Sequence, residues 1–167
     1  MEVIQNKVAE SGIQVFNLDD MIPEGAVKEF DLAPFLAGGF VLREKAFRTA
    51  LKEYDWAPFT EAHVGIFCST DAIIPTWAFM LVASRLDGIA ESVTSARASE
   101  IRERRFSAAL KAHDWSPYTD RIVVIKGCGT GAVPTSAYVE ATAAMQQVAR
   151  KIMYGEPCSS VPIWRKK

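Results

Sequence analysis

Three side chains able to hold a soft metal or attack an electrophile are spread through the chain: Cys68, Cys128 and Cys158. A thiolate binds zinc, iron or an iron-sulfur cluster, and a thiol of lowered pKa serves as nucleophile or redox centre. No two of them form a CxxC pair, so a common site requires the fold to gather distant positions. Asp71, just after Cys68, and Glu156, just before Cys158, are the carboxylates placed to act as fourth ligands or proton carriers. Free cysteine is also among the most buried residue types, so inert packing stands beside metal ligation and thiol chemistry as a third reading. A second chemistry is offered by Thr76 and Thr135, each directly after a proline, and by Gly129 and Gly131 in the run GCGTG. Helix N-termini carry unpaired N–H groups and the positive end of the helix dipole, which suits a small anion or phosphometabolite. The lysine and hydroxyl of a P-loop are missing.

These positions fall within a pattern that repeats. Residues 42–78 align without gaps on residues 101–137, a shift of 59, with 15 identities in 37 positions, where ordinary composition gives roughly two. The spacing predicts the same order in each copy. A helix carrying Phe47, Leu51 or Phe106, Leu110 is stopped by Asp-Trp-x-Pro, then a β-branched strand, HVGIFC or IVVIKG, leads through a turn to a helix opened by Pro75 or Pro134. KIMY reads as a further strand, AESVTSA as its weaker counterpart, and GIQVFNL as a strand ahead of a loop-rich lead-in, DDMIPEGAVKEFDLAPF. The fold class expected is therefore α/β, a mostly parallel sheet covered by helices and built from an internal duplication. One domain is expected over 1–167, with a lead-in (1–41), repeat one (42–96), repeat two (101–155) and a tail (156–167). TWAFMLVASRL, apolar almost all round, is expected to be buried.

In such a sheet ligands sit at the carboxyl ends of the strands, and all three cysteines are expected at that edge. His63 and His113 belong to the opposite edge, which disfavours a Cys3His zinc site. Trp56 and Trp115 read as core wedges rather than base-stacking platforms. Arg97, Arg102, Arg104 and Arg105, mixed with Glu100 and Glu103, read as a solvated helix face, and the tail VPIWRKK as an exposed surface for an assembly partner.

Composition sets the outer bounds. The chain has 167 residues, 49% of them hydrophobic and 23% charged, and a net charge of −1. That is ordinary globular composition and argues against a general electrostatic attraction to nucleic acid. The start MEVIQNKVAESG has neither the basic opening nor the apolar run of a secretory signal, and no stretch is long enough to span a bilayer, so a cytoplasmic location is expected. A homo-oligomer is compatible with the sequence, and no reaction is named by it.

The blocks FCSTDAIIPTWA, VVIKGC, VPTSAY and IMYGEPCSSVPIW resemble, in order and over almost the full length, a bacterial family described as domain of unknown function 2480. Its Cys-Ser-x-Asp-Ala-Ile-Ile-Pro and Tyr-Gly-Glu-Pro-Cys patterns fall at Cys68 to Pro75 and Tyr154 to Cys158. The chain departs from the family pattern near Gly65, Phe67 and Gly129 to Gly131. The resemblance implies no established activity. It implies an association with iron-sulfur assembly, which favours iron or a cluster over zinc at the cysteines.

Overall fold

A computed structural model describes residues 12–127 and 131–167. The chain divides into two compact units, one comprising Glu24–Arg102 and the other formed by the two ends, Met1–Pro23 and Glu103–Lys167. Both are α/β, and each has a parallel ladder of its own, in place of the one sheet expected.

In the 24–102 unit, β2 (Val27–Asp31), β5 (His63–Phe67) and β6 (Ser92–Thr94) form a parallel sheet in that order, beside a two-stranded antiparallel ladder of β3 (Leu36–Ala37) and β4 (Val41–Leu42). Helices α1 (Glu44–Glu53) and α2 (Thr76–Leu86) complete it. The lead-in thus holds a strand, β2, where a loop was expected. Lys28 and Glu29 are exposed and Asp31 is half-buried, while Phe30 and the following Leu32 are almost fully buried, so the segment is anchored at its carboxyl end. Phe47 and Leu51 of α1 and Ala78, Val82 and Leu86 of α2 pack into the same core. Gly65 is dictated by that packing: a Cβ there would lie 2.2 Å from the carbonyl oxygen of Ala96. Only one stripe of α2 is buried, contrary to expectation; Met80 is 67% exposed and Ile73, in the loop before it, 96%.

In the terminal unit, β1 (Ile13–Asn17), β7 (Ile122–Lys126), β8 (Lys151–Glu156) and β9 (Ser159–Arg165) lie in that order, the first three parallel and the last antiparallel. Helix α3 (Ala98–Ala112) contributes Phe106 and Leu110 to the core, and α4 (Thr135–Met145) contributes Ala137, Ala141 and Met145. The expected tail is β9. Pro162, which cannot donate to a ladder, is accommodated where the register slips opposite Ile152 and Met153.

The two Asp-Trp-x-Pro motifs do the same local work. Asp55 and Asp114 each accept a hydrogen bond from the amide two residues on, at 3.1 and 3.0 Å, which starts a single 3-10 turn holding the proline. Trp56 packs face to face with Phe30, and Trp115 against Phe16, so both are core wedges. Glu61 and Asp120, 59 positions apart, both have φ of 55°. Among the described residues no helix is long and apolar enough to cross a membrane.

Candidate functional site

At the carboxyl ends of β2 and β5, Asp31 joins the two strands. Its carboxylate accepts from the Ser69 hydroxyl at 2.6 Å, the Ser69 amide at 3.0 Å and the Ala33 amide at 2.9 Å. Partial burial pushes its pKa up, but the Ser69 hydroxyl, the two amides and the charge of Arg97 outweigh that and hold it below the usual carboxylate range. Arg97 is not merely part of a solvated face. Its guanidinium lies 3.8 Å from the Phe67 ring centroid and 3.9 Å from Glu29. The opening of α3 is closed by carboxylates, since Glu29 accepts from the Ala98 amide and Glu100 from the Arg97 amide. Sequence reasoning missed Asp31, Ser69 and Glu29, and the contacts that join Asp31 to Ser69 and Glu29 to Ala98 span 38 and 69 positions.

Cys68 follows β5, half-buried, with its sulfur 3.2 Å from the Thr70 hydroxyl and its side chain against the core. Asp71 is exposed. Cys158 lies in the other unit, exposed in the turn between β8 and β9 rather than beyond the last strand. Glu156, at the end of β8, is 3.4 Å from Lys126 Nζ. Cys128 and Gly129 lie outside the described residues, and Gly131 has φ of +75°. Cys68 and Cys158 are free thiols, and among the described residues no three His, Cys, Asp or Glu side chains are gathered to hold a metal ion. The expected centre at Cys68, Cys128 and Cys158, with Asp71 or Glu156, finds no support in this arrangement.

The histidines sit at the amino ends of strands or among rings. His63 opens β5, and its Nδ1 is 2.7 Å from the Ser92 hydroxyl on the neighbouring strand. His113 packs against Trp115 and Phe16, with ring centroids 4.7 and 5.2 Å away. Burial raises the Tyr118 pKa in the same aromatic group, while hydrogen bonds from the Ser116 amide and hydroxyl lower that of Asp114.

In the terminal unit a groove of 610 Å³ lies between α4 and strands β7 to β9. Thr135, Tyr138, Val139, Thr142, Ala143 and Gln146 line it, following one another at helical spacing along a single stripe of α4. A different stripe of the same helix, Ala137, Ala141 and Met145, is in the core. Helix α4 thus turns a second, mixed stripe to the groove, with Tyr138, Thr142 and Gln146 half-buried and Val139 65% exposed. Ile125, Ile152 and Ile163 form the strand side. Tyr138 meets Tyr154 edge-on at 5.8 Å, and Gly127 admits the Tyr138 hydroxyl, since a Cβ there would come within 2.2 Å of it. Thr135 stands at the groove's end where α4 opens, and that opening has no side-chain cap. The sequence places Thr135 at this helix opening; the stripe behind it was not singled out. Thr76 holds the corresponding place at the start of α2, also uncapped and exposed.

No curated protein and no solved structure matches the chain. A family model described as protein of unknown function (DUF2480) matches residues 2–166, nearly the whole chain, and the chain belongs to that family.

Proposed function

We propose that the protein is a binding module for a small amphipathic anion, a carboxylate or phosphate ester with an aromatic or branched aliphatic body. The observation that carries this reading is the second stripe of α4, where Val139 and Ala143 are exposed among Thr135, Tyr138 and Thr142 along a groove of 610 Å³. That size and lining match small-molecule sites, which are mostly apolar with a few placed polar groups, over about 300–1,000 Å³. From Thr135 to Gln146 the helix rises about 16 Å, room for one extended molecule. The apolar body lies against the exposed Val139, Tyr154 and Ile163, and the anionic end faces the uncapped amides at Thr135. Reaction chemistry is not invoked.

We also infer that the two halves arose by duplication and fusion. Adding 59 to the stripe Thr76, Phe79, Met80 and Ala83 of α2 gives Thr135, Tyr138, Val139 and Thr142, and Met80 and Val139 are similarly exposed, at 67% and 65%. The α4 groove is then one of two related surfaces.

A thermal-shift panel of aromatic and branched-chain carboxylates and their phosphate counterparts tests the binding reading. A ligand at a hundred times its Kd adds about 2.7 kcal/mol, which in a chain of this size raises Tm by roughly 5–10 °C. Val139→Asp keeps the fold, because the side chain already meets water, and abolishes the shift. No response from any member of the panel, or the same response in Val139→Asp, contradicts the reading.

A further inference from the structure

The amino edge of the terminal unit's sheet gathers basic residues from three strands. Arg121 immediately precedes β7, Arg150 and Lys151 stand at the start of β8, and Arg165 and Lys166 at the end of β9. Backbone pairing fixes them side by side: the amides of Arg150 and Lys151 both donate to the Arg121 carbonyl, the Lys166 amide donates to the Arg150 carbonyl, and Lys151 is paired directly with Arg165. Adjacent strands are about 4.8 Å apart, so the three rows of charge lie across roughly 10 Å. Arg121, Arg150, Arg165 and Lys166 are exposed. Against the five cations stands one acidic partner, Asp120, 3.5 Å from Lys166 Nζ; the other four have no ion pair among the described residues. Like charges placed opposite each other in a ladder oppose folding, so nothing in the stability of the sheet calls for this arrangement.

From this edge we infer a docking site for an acidic segment of a partner protein, a short run of aspartate and glutamate. Three of the five cations are guanidinium groups, whose forked donors suit carboxylates. The size of the partner follows from the remaining charge. The whole chain carries −1 and this edge +4, which leaves −5 elsewhere. A long duplex or a planar anionic membrane extends well beyond the screening length of about 8–10 Å, which is also roughly the width of this edge. A short acidic segment touches the edge alone.

The test uses the full chain and a fluorescein-labelled octaglutamate peptide in fluorescence anisotropy at 50 mM salt, with a single-stranded octanucleotide and phosphatidylserine-containing vesicles as parallel probes. The peptide is expected to bind, to weaken about tenfold or more by 300 mM salt, and to lose at least tenfold in Arg150→Glu/Arg165→Glu. Arg121→Gln/Arg150→Gln, which removes charge without reversal, is expected to weaken it by a smaller factor, with both variants checked for native circular dichroism. Val139→Asp, which disables the groove, leaves peptide binding unchanged, so the two proposals fail separately. Absence of peptide binding, peptide binding unaffected by either double substitution, or tighter binding of the oligonucleotide or the vesicles overturns the proposal.

Discussion

Replacing Asp31 by alanine removes the acceptor of three hydrogen bonds, two from Ser69 that fasten β2 to the loop after β5 and one from the Ala33 amide that holds the turn after β2. Hydrogen bonds to a charged group contribute about 1.5–3 kcal/mol each when buried. Asp31 is only partly buried, and water replaces some of what is lost, so about 1 kcal/mol per bond is the better figure. Asp31→Ala is then expected to cost about 2–3 kcal/mol, or roughly 5–10 °C in Tm for a chain of this length. The pH dependence carries a definite sign. The folded pKa of Asp31 lies below its ordinary 3.8, so its stabilisation is complete above that value and is lost as pH falls through the folded pKa. Urea titrations of wild type and variant at pH 7 should differ by the full amount and converge as the pH is taken below 3.8. Asp31→Asn, which keeps one oxygen acceptor but loses the charge, should fall between them. A variant within about 0.5 kcal/mol of wild type at pH 7, or a gap that stays constant with falling pH, refutes the assignment of Asp31 as the fastening of β2.

Three further outcomes test other parts of the structure. Gly65→Ala places a methyl against the Ala96 carbonyl in the middle of β5, and urea unfolding should show a loss of about 2–4 kcal/mol; a neutral result would mean that the close approach is absent. Gly127→Ala displaces the Tyr138 hydroxyl and the ring packed on Tyr154, so calorimetry should show any groove ligand weakened about tenfold or more, while unchanged affinity would remove Tyr138 from the groove's shape. Brief iodoacetamide treatment followed by peptide mapping should label exposed Cys158 ahead of half-buried Cys68; the reverse order would contradict the placement of the β8–β9 turn.

Much of the architecture was legible wherever the signal is local. The strands at 63–67 and 122–126 announce themselves by β-branched residues, each ending one residue short of the expected runs HVGIFC and IVVIKG, and the helices at 76–86 and 135–145 by proline at their openings, the second ending short of the expected QQVAR. Strand β2 was hidden because Lys28, Glu29 and Asp31 leave too little apolar alternation, and because its pairing with β5 joins positions 36 residues apart. Strand β9 was masked by Pro162, harmless only because the ladder slips there. One sheet became two because the lead-in supplies a separate partner to each copy, β1 to β7 and β2 to β5, a choice no local pattern encodes. The cysteine reading depended on that single edge. With Cys68 beside a strand of one sheet and Cys158 in a hairpin turn of another, the shared rim is not the one expected. The groove was concealed differently: α4 is apolar around most of its girth, and only packing shows which stripe is covered.

Methyl NMR of the full chain, titrated with whichever amphipathic anion gives the largest thermal shift, tests the groove most directly. Val139, Ile125, Ile152 and Ile163 line or border it, while Val64 and Val82 are fully buried in the 24–102 unit and serve as internal controls. The expected result is saturable shifts in the first four methyl sets and none in the controls. Shifts confined to other residues, or spread evenly over both groups, would contradict the groove as the binding site.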